Sequence, residues 1–214
     1  MGPDILRTLA LIGVAYLAGS IPVGAIVARL VGGPNLRSVG SGRTGGTNAL
    51  RALGRKWAAI VVIGDLLKGA LPVVLARVVT GDPVVEVLCG GAAVVGAIWS
   101  IFAGFRSGRG VGTGVGTMLM IQPLAVLLAA PVFIVVILVT RYVSLGSLLG
   151  SAAMFPAMLL VLLVVPATPL PYVIYAAVGA VFIWLAHADN IDRLLHGTER
   201  KFDLGLLAGK PPNS

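Results

Sequence analysis

The chain has 214 residues, of which 57% are hydrophobic and only 11% charged, a balance that excludes an ordinary soluble domain and places the chain in a bilayer. A chain of this length holds several spans of about 20 residues and no large soluble domain beside them, so one all-α, polytopic membrane domain over residues 1–214 is expected. The net charge of +8 does not point to nucleic acid, because aromatic residues are few and the basic ones sit between apolar runs rather than along one soluble face.

The first apolar stretch, residues 5–30, is too long for a signal-peptide core and has no small-x-small cleavage site, so it is expected to remain as a membrane helix. Gly19-Ser20-Ile21-Pro22 should bend it near its inner end. The loop that follows, "VGSGRTGGTNALR" at 39–51, is glycine-rich and cationic. Gly40, Gly42, Gly45 and Gly46 let the backbone turn and present its N–H groups. Ser41, Thr44, Thr47 and Asn48 add side-chain donors, and Arg43 and Arg51 add fixed positive charge. Such a set suits a phosphate or another anion, although the spacing of a Walker loop is missing. A flexible basic loop held by lipid headgroups is the plainer alternative.

Further apolar runs cover 58–79, 85–103, 111–140, 144–165 and 170–187. Asp65 and Lys68 lie three apart and share a face of the second span. Charges at that depth need partners, so a structural ion pair is expected there. Cys89 stands alone in an apolar run, which excludes an internal disulfide and a cysteine-based metal site. No metal site is expected. In "FRSGRGVGTGVG", Gly112 and Gly116 lie four apart, the mark of close helix packing. Arg106 and Arg109 flank that segment, where their planar forks suit phosphate oxygens or simply set topology. Ser144 serves either as a helix N-cap or as a substrate contact. His187 and Asn190 share one face where the last span leaves the membrane, and no triad spacing accompanies them.

Charge settles the parity of the crossings. Residues 111–140 as one helix would be about 45 Å long against a hydrocarbon core of about 30 Å, and Gln122-Pro123 interrupts them. Two crossings, rather than one, leave Arg141, Arg193, Arg200, Lys201 and Lys210 on the same side as the loop from Arg29 to Lys56, as the positive-inside rule requires. The expectation is therefore seven transmembrane helices, with the N-terminus outside and the C-terminus cytoplasmic. The fourth and fifth should be short, and Asp82 and Glu86 should lie in an outer loop. All the polar segments then meet at one membrane surface.

"AYLAGSIPVGAIVARL", "GSGRTGGTNALRALG", "DLLKG", "GFRSGRGVGT", "RYVSL" and "HADNIDRLL", in this order, resemble the acyl-phosphate-dependent glycerol-3-phosphate acyltransferases, the PlsY family of bacterial membrane enzymes. The resemblance runs from about residue 15 to 202. It implies a seven-helix enzyme of the inner membrane that transfers a fatty acyl group from acyl phosphate to the 1-hydroxyl of glycerol 3-phosphate, giving lysophosphatidic acid, without cofactor, metal or acyl-CoA. It also implies substrate contacts at Ser41, Thr47, Asn48, Arg51, Ser144, His187 and Asn190, with Asp65 and Lys68 matching a pair in the second helix. Arg106 and Arg109 stand where the family has lysines. No residue is a strong base, so a substrate phosphate oxygen is expected to take the hydroxyl proton.

The chain departs from the family pattern at three places. Arg43 replaces an asparagine, Ala97 a histidine and Ser107 a glycine. Arg43 adds a charge beside the anion contacts and is counted among them. On the sequence, a relative acylating another phosphorylated polyol and a non-catalytic protein binding acyl phosphate or anionic lipid both stay open.

Overall fold

A computed structural model describes residues 4–208, and every regular element among them is helical. Lys210, one of the charges used to set topology, lies outside the described residues. Four helices are long and apolar enough to cross a bilayer, or up to six if each of two bent pairs is one span. Large apolar side chains point outward, with Val78, Val139 and Leu163 at 80%, 76% and 77% exposure. That arrangement costs little only where lipid replaces water.

Helix α1 (Ile5–Ser20) is capped by Asp4, whose carboxylate accepts from the Leu6 N–H at 3.0 Å. It ends where expected, because Pro22 lacks an N–H and pushes Ile21 out of helical geometry. Helix α2 (Val23–Leu30) resumes at 41° to it. The break frees two carbonyls, and both find donors: Ser100 Oγ on Ser20 O, and Lys68 Nζ on Ile21 O at 3.2 Å. Gly19 and Gly96 set the approach of α1 to α5 (Pro83–Ile98), since a Cβ on either would strike the other helix's backbone at Ala93 or Tyr16.

After the polar loop come α3 (Gly46–Leu53) and the long α4 (Arg55–Thr80). A short 3-10 turn, Ile101–Ala103, ends the α5 segment and leads to α6 (Val111–Ile121). Helix α6 lies hard against α4: a Cβ on Gly116 would collide with Leu66 O, one on Gly69 with Thr113 O, and one on Gly112 would come to 3.0 Å from Asp65 Cβ. The four-residue glycine spacing is thus a packing seam, as expected. Gln122, at φ −154° and ψ 88°, separates α6 from α7 (Pro123–Thr140).

Then follow α8 (Val143–Val164), α9 (Leu170–Ala186) and α10 (Ala188–Leu195), the last turning by 64°. A core that includes Met118, Ala125, Met158, Tyr175 and Ala176 joins α6, α7, α8 and α9.

Three expectations are corrected. Helix α7 is not short: its 18 residues span about 27 Å, whereas the 11 residues of α6 reach about 16 Å. Pro123 sits at the first position of α7, where its missing N–H costs nothing, so the break shortens one helix only. Glu86 is not in a loop but in the first turn of α5, 3% exposed. It accepts from Arg77 Nη2 at 2.6 Å and from the Tyr172 hydroxyl at 2.8 Å, which makes burial of its charge tolerable. Asp82 caps that helix by accepting from the Val84 N–H at 2.8 Å. Ser144 is not an N-cap, because α8 begins at Val143 with Tyr142 as its cap residue.

Candidate active site

The loop at 39–51 is organised from within. Gly40 and Gly42 adopt φ of +57° and +67°, the left-handed region that favours glycine. The turns they make wrap the backbone around Asn48, which is 2% exposed. Its carboxamide accepts from the Ser41 N–H at 3.1 Å, and its two N–H groups are shared among the carbonyls of Leu36, Val39 and Arg43 at 2.8, 3.1 and 2.9 Å. Asn48 is thus fully engaged by loop backbone, which leaves Ser41, Arg43, Thr47 and Arg51 to face outward.

A second segment, 105–110, is tied to this loop. Thr44 Oγ1 and the buried Ser107 Oγ lie 3.0 Å apart, so the serine that replaces a glycine serves as a fastening. Arg37 donates to the carbonyls of Ala103 and Arg106, adding a strap.

These segments meet residues of α4, α8 and α10 around a cleft of about 490 Å³, within the range for small-molecule sites. Ser41, Arg43, Thr47, Asn48, Arg51, Asp65, Lys68, Arg109, Ser144, His187 and Asn190 all line it, as does the substituted Ala97. Arg106 alone among the expected site residues does not. It is exposed, and its carbonyl rather than its side chain is engaged.

Positive charge dominates the cleft. Arg43, Arg51, Lys68, Arg109, Arg193 and Arg200 line it, against Asp65 and Glu199. Lys68 Nζ pairs with Asp65 at 2.8 Å and also holds the α1–α2 break. Arg109 pairs with Asp189 at 2.7 Å, while Arg43 and Arg51 make no ion pair among the described residues. Burial pulls the Arg43 guanidinium below its ordinary pKa, and the neighbouring Arg109 pulls it further. Arg51 is lowered likewise, by burial and then by Arg200. A site whose cations depress one another is one that an anion would relieve. Two buried polar atoms have no partner among the described residues, and such groups ordinarily have one: Arg109 Nε is a donor that suits the same anion, and Asn190 Oδ1 is an acceptor that suits a hydroxyl.

Two acidic residues that sequence reasoning passed over organise this end of the cleft. Glu199 accepts from Ser144 Oγ at 2.9 Å, Asn190 Nδ2 at 2.7 Å and Arg193 Nε at 2.7 Å. Burial alone would raise its carboxyl pKa, but these donors outweigh burial and hold it below the usual range. Asp189 likewise overcomes its burial through Arg109 and, at longer range, Arg43 and Arg193. The only signal in the sequence is their presence among the tail's basic residues.

His187 is 2% exposed. Its Nδ1 lies 2.7 Å from Ile183 O, a carbonyl that can only accept, so Nδ1 carries the proton and Nε2 is an acceptor. Burial, and then the nearby Arg109 and Arg43 acting against the Ile183 bond, bring its pKa down to about 4. The imidazole is neutral at pH 7.

Beyond the cleft, deeper in the bundle, lies an apolar cavity of about 330 Å³ that shares Val111, Val115, Phe133 and Ser147 with it. A cationic chamber opening into an apolar one suits a molecule with an anionic head and a hydrocarbon tail. A family model described as glycerol-3-phosphate acyltransferase matches residues 9–197. The chain belongs to this family.

A glycerol-3-phosphate acyltransferase of Geobacter sulfurreducens is 43% identical over 199 residues, covering 92% of this chain and 99% of that protein. Glycerol-3-phosphate acyltransferase 3 of Dehalococcoides mccartyi (strain CBDB1) is 40% identical over 211 residues, covering 93% and 97%. The crystal structure of PlsY, an integral membrane glycerol 3-phosphate acyltransferase, in its glycerol 3-phosphate form superposes with a TM-score of 0.85 at 36% identity, covering 95% of this chain and all of that one. Its lysophosphatidic acid form gives 0.82 at 34% identity.

Proposed function

We propose that this chain, a multi-pass protein of the bacterial inner membrane, transfers a fatty acyl group from acyl phosphate to the 1-hydroxyl of glycerol 3-phosphate, giving lysophosphatidic acid and phosphate. The observation that carries this reading is the junction of a cleft rich in arginine with an apolar cavity, in a chain of this family. The cleft supplies positioning. Ser41, Arg43, Thr47, Arg51 and Arg109 hold the two phosphates and offset their mutual repulsion, while Ser144, His187 and Asn190 meet the glycerol hydroxyls, keeping hydroxyl and carbonyl at reacting distance. Asn48 shapes the loop that does so, and Asp65 with Lys68 pins α4 to the α1–α2 break. Arg106 lies apart and sets topology.

In the reaction the glycerol 1-oxygen attacks the acyl carbon, the bond from that carbon to the phosphate oxygen breaks, and phosphate leaves. The neutral donors and guanidinium groups of the cleft stabilise the oxyanion that develops in between. The hydroxyl proton goes to a substrate phosphate oxygen. His187, with a pKa of about 4, is a weaker base than a phosphate monoester, whose second pKa is about 6. It accepts a hydrogen bond at Nε2 and orients the hydroxyl.

Residues 1–214 form one domain that crosses the membrane seven times, N-terminus outside and C-terminus cytoplasmic. The first crossing is the bent α1–α2 pair, and the others are α4 to α9. The meeting of Arg109 and Ser144 in one cleft supports an even number of passes between them, which α6 and α7 provide as a short and a full crossing. Detergent-purified protein supplied with hexadecanoyl phosphate and glycerol 3-phosphate should form lysophosphatidic acid and phosphate in equal amounts. Binding of both substrates without product would overturn the reading in favour of a non-catalytic lipid-phosphate binder.

A further inference from the structure

We propose that a groove between α4 and α7 is the lateral route by which a single-chain lipid with an anionic phosphate head passes between the bilayer and the cleft, and that Phe133 is the partition it passes. The inference rests on the acyltransferase reading and adds a path to it.

Helix α4 packs on α1, α2, α3, α5 and α6, while α7 packs on α6 and α8. Side chains, not a helix-packing seam, close the space between α4 and α7. The space is a groove of about 450 Å³. Its walls are apolar, formed by Ala59, Val62, Ile134, Leu138, Phe202 and Leu204, with Arg55 placed at the end nearest the polar loops. One cation over an apolar slot matches an acyl chain with a phosphate at its head.

The groove is continuous with the site. It shares Gly46, Thr47, Val62, Phe133 and Val143 with the cleft, and Phe133 and Ile134 with the inner apolar cavity. Among the described residues, Phe133 alone borders all three spaces. Its place is set from behind, because α8 comes so close that a Cβ on Gly150 would lie 3.0 Å from Phe133 Cβ, and one on Gly146 would lie 2.7 Å from Ile137. The ring therefore stands at the junction of groove, cleft and cavity, where turning about its side-chain bonds opens or closes the way without moving a helix.

A substrate with a long chain lives in the bilayer, whereas glycerol 3-phosphate arrives from water, and that difference makes the route testable. Ala59 is exposed and does not line the cleft. In protein carrying Cys89→Ala and Ala59→Cys, a bulky maleimide attached after folding should lower kcat/KM for hexadecanoyl phosphate by about tenfold while leaving KM for glycerol 3-phosphate unchanged. The same label on Val78→Cys, 80% exposed and outside all three spaces, should change neither. An unchanged kcat/KM for hexadecanoyl phosphate after labelling at Ala59→Cys, or a loss shared equally by glycerol 3-phosphate, overturns the route. Phe133→Trp should act in the same direction as the label.

Occupancy is measured without turnover by photolysing a hexadecyl phosphate with a diazirine in its chain against unmodified protein in nanodiscs. Labelling of α4 and α7 at the groove that excess lysophosphatidic acid suppresses is expected. Labelling confined to the inner cavity overturns the proposal. Absence of turnover by the unmodified protein counts against the acyltransferase reading, and the photolabelling still decides the route.

Discussion

Arg109 Nη2 lies 2.7 Å from Asp189 Oδ2, joining residues 80 positions apart, and the Arg109 side chain lines the cleft with its Nε unpartnered among the described residues. Arg106, three residues earlier, has its side chain outside the cleft. Arg109→Ala should lower kcat/KM by about 10- to 100-fold, the worth of one hydrogen bond to a charged group. Arg106→Ala should stay within about twofold, and Asp189→Asn within about fivefold, because its pair is partly exposed and weakly held. Steady-state kinetics on the three variants decide it; equal losses at positions 106 and 109 would contradict the geometry.

Asn48 holds four backbone groups of the loop. Removing its carboxamide leaves buried carbonyls unsatisfied, at about 1–3 kcal/mol each at most. Asn48→Ala should therefore open the loop to proteolysis and abolish turnover, while the helical bundle keeps its circular dichroism. A variant that is protease-resistant but inactive would mean that Asn48 acts on substrate directly.

His187 has its folded pKa at about 4, below the ordinary value of about 6.5. The unfolded chain therefore binds more protons between these values, so His187 contributes a loss of stability as pH falls from about 6.5 towards 4 and no further loss below that. Above about 6.5 it contributes no pH dependence. Nitrogen NMR of labelled histidine should find the His187 ring neutral and protonated on Nδ1 at pH 6. An imidazolium signal from His187 at that pH would contradict the assignment.

Gly116 and Gly69 meet backbone across the α4–α6 seam, whereas Gly179 has nothing within 4 Å of a built Cβ. Gly116→Ala and Gly69→Ala should each destabilise by about 1–3 kcal/mol through overpacking. Gly179→Ala should be neutral or slightly stabilising, since it removes the entropic cost of glycine within α9. Thermal unfolding in one detergent ranks them.

Arg43 lines the cleft and has no carboxylate partner among the described residues, so its charge can meet substrate. Arg43→Asn should raise KM for glycerol 3-phosphate by about three- to tenfold at low salt, and by less at high salt, as screening shortens the reach of the charge. A fall in KM would show that Arg43 obstructs the site.

Hydropathy and charge by themselves determined that this chain is a helical membrane protein, where it bends at Pro22 and breaks at Gln122-Pro123, and which polar segments meet. Those outcomes follow from local rules: backbone in lipid must be helical, proline interrupts it, and basic loops stay on one side. The glycine pair at 112 and 116 was readable for the same reason, since a helical period puts both on one face. The Asp65–Lys68 pair was readable too, from its three-residue spacing; what only the tertiary structure decided was the partner of each charge that pairs across elements.

Nothing local distinguishes Arg109, which lines the cleft and pairs with Asp189, from Arg106, which does neither. Nor does the sequence around Glu199 reveal that Ser144 and Asn190 converge on it from two other elements. The parity of the crossings puts Glu86 in an outer loop, yet it is buried because Arg77 and Tyr172 reach it from α4 and α9. Helix propensity and hydropathy act over a few residues, whereas the cost of burying a charge depends on what the fold brings beside it, and that is a property of the assembled bundle.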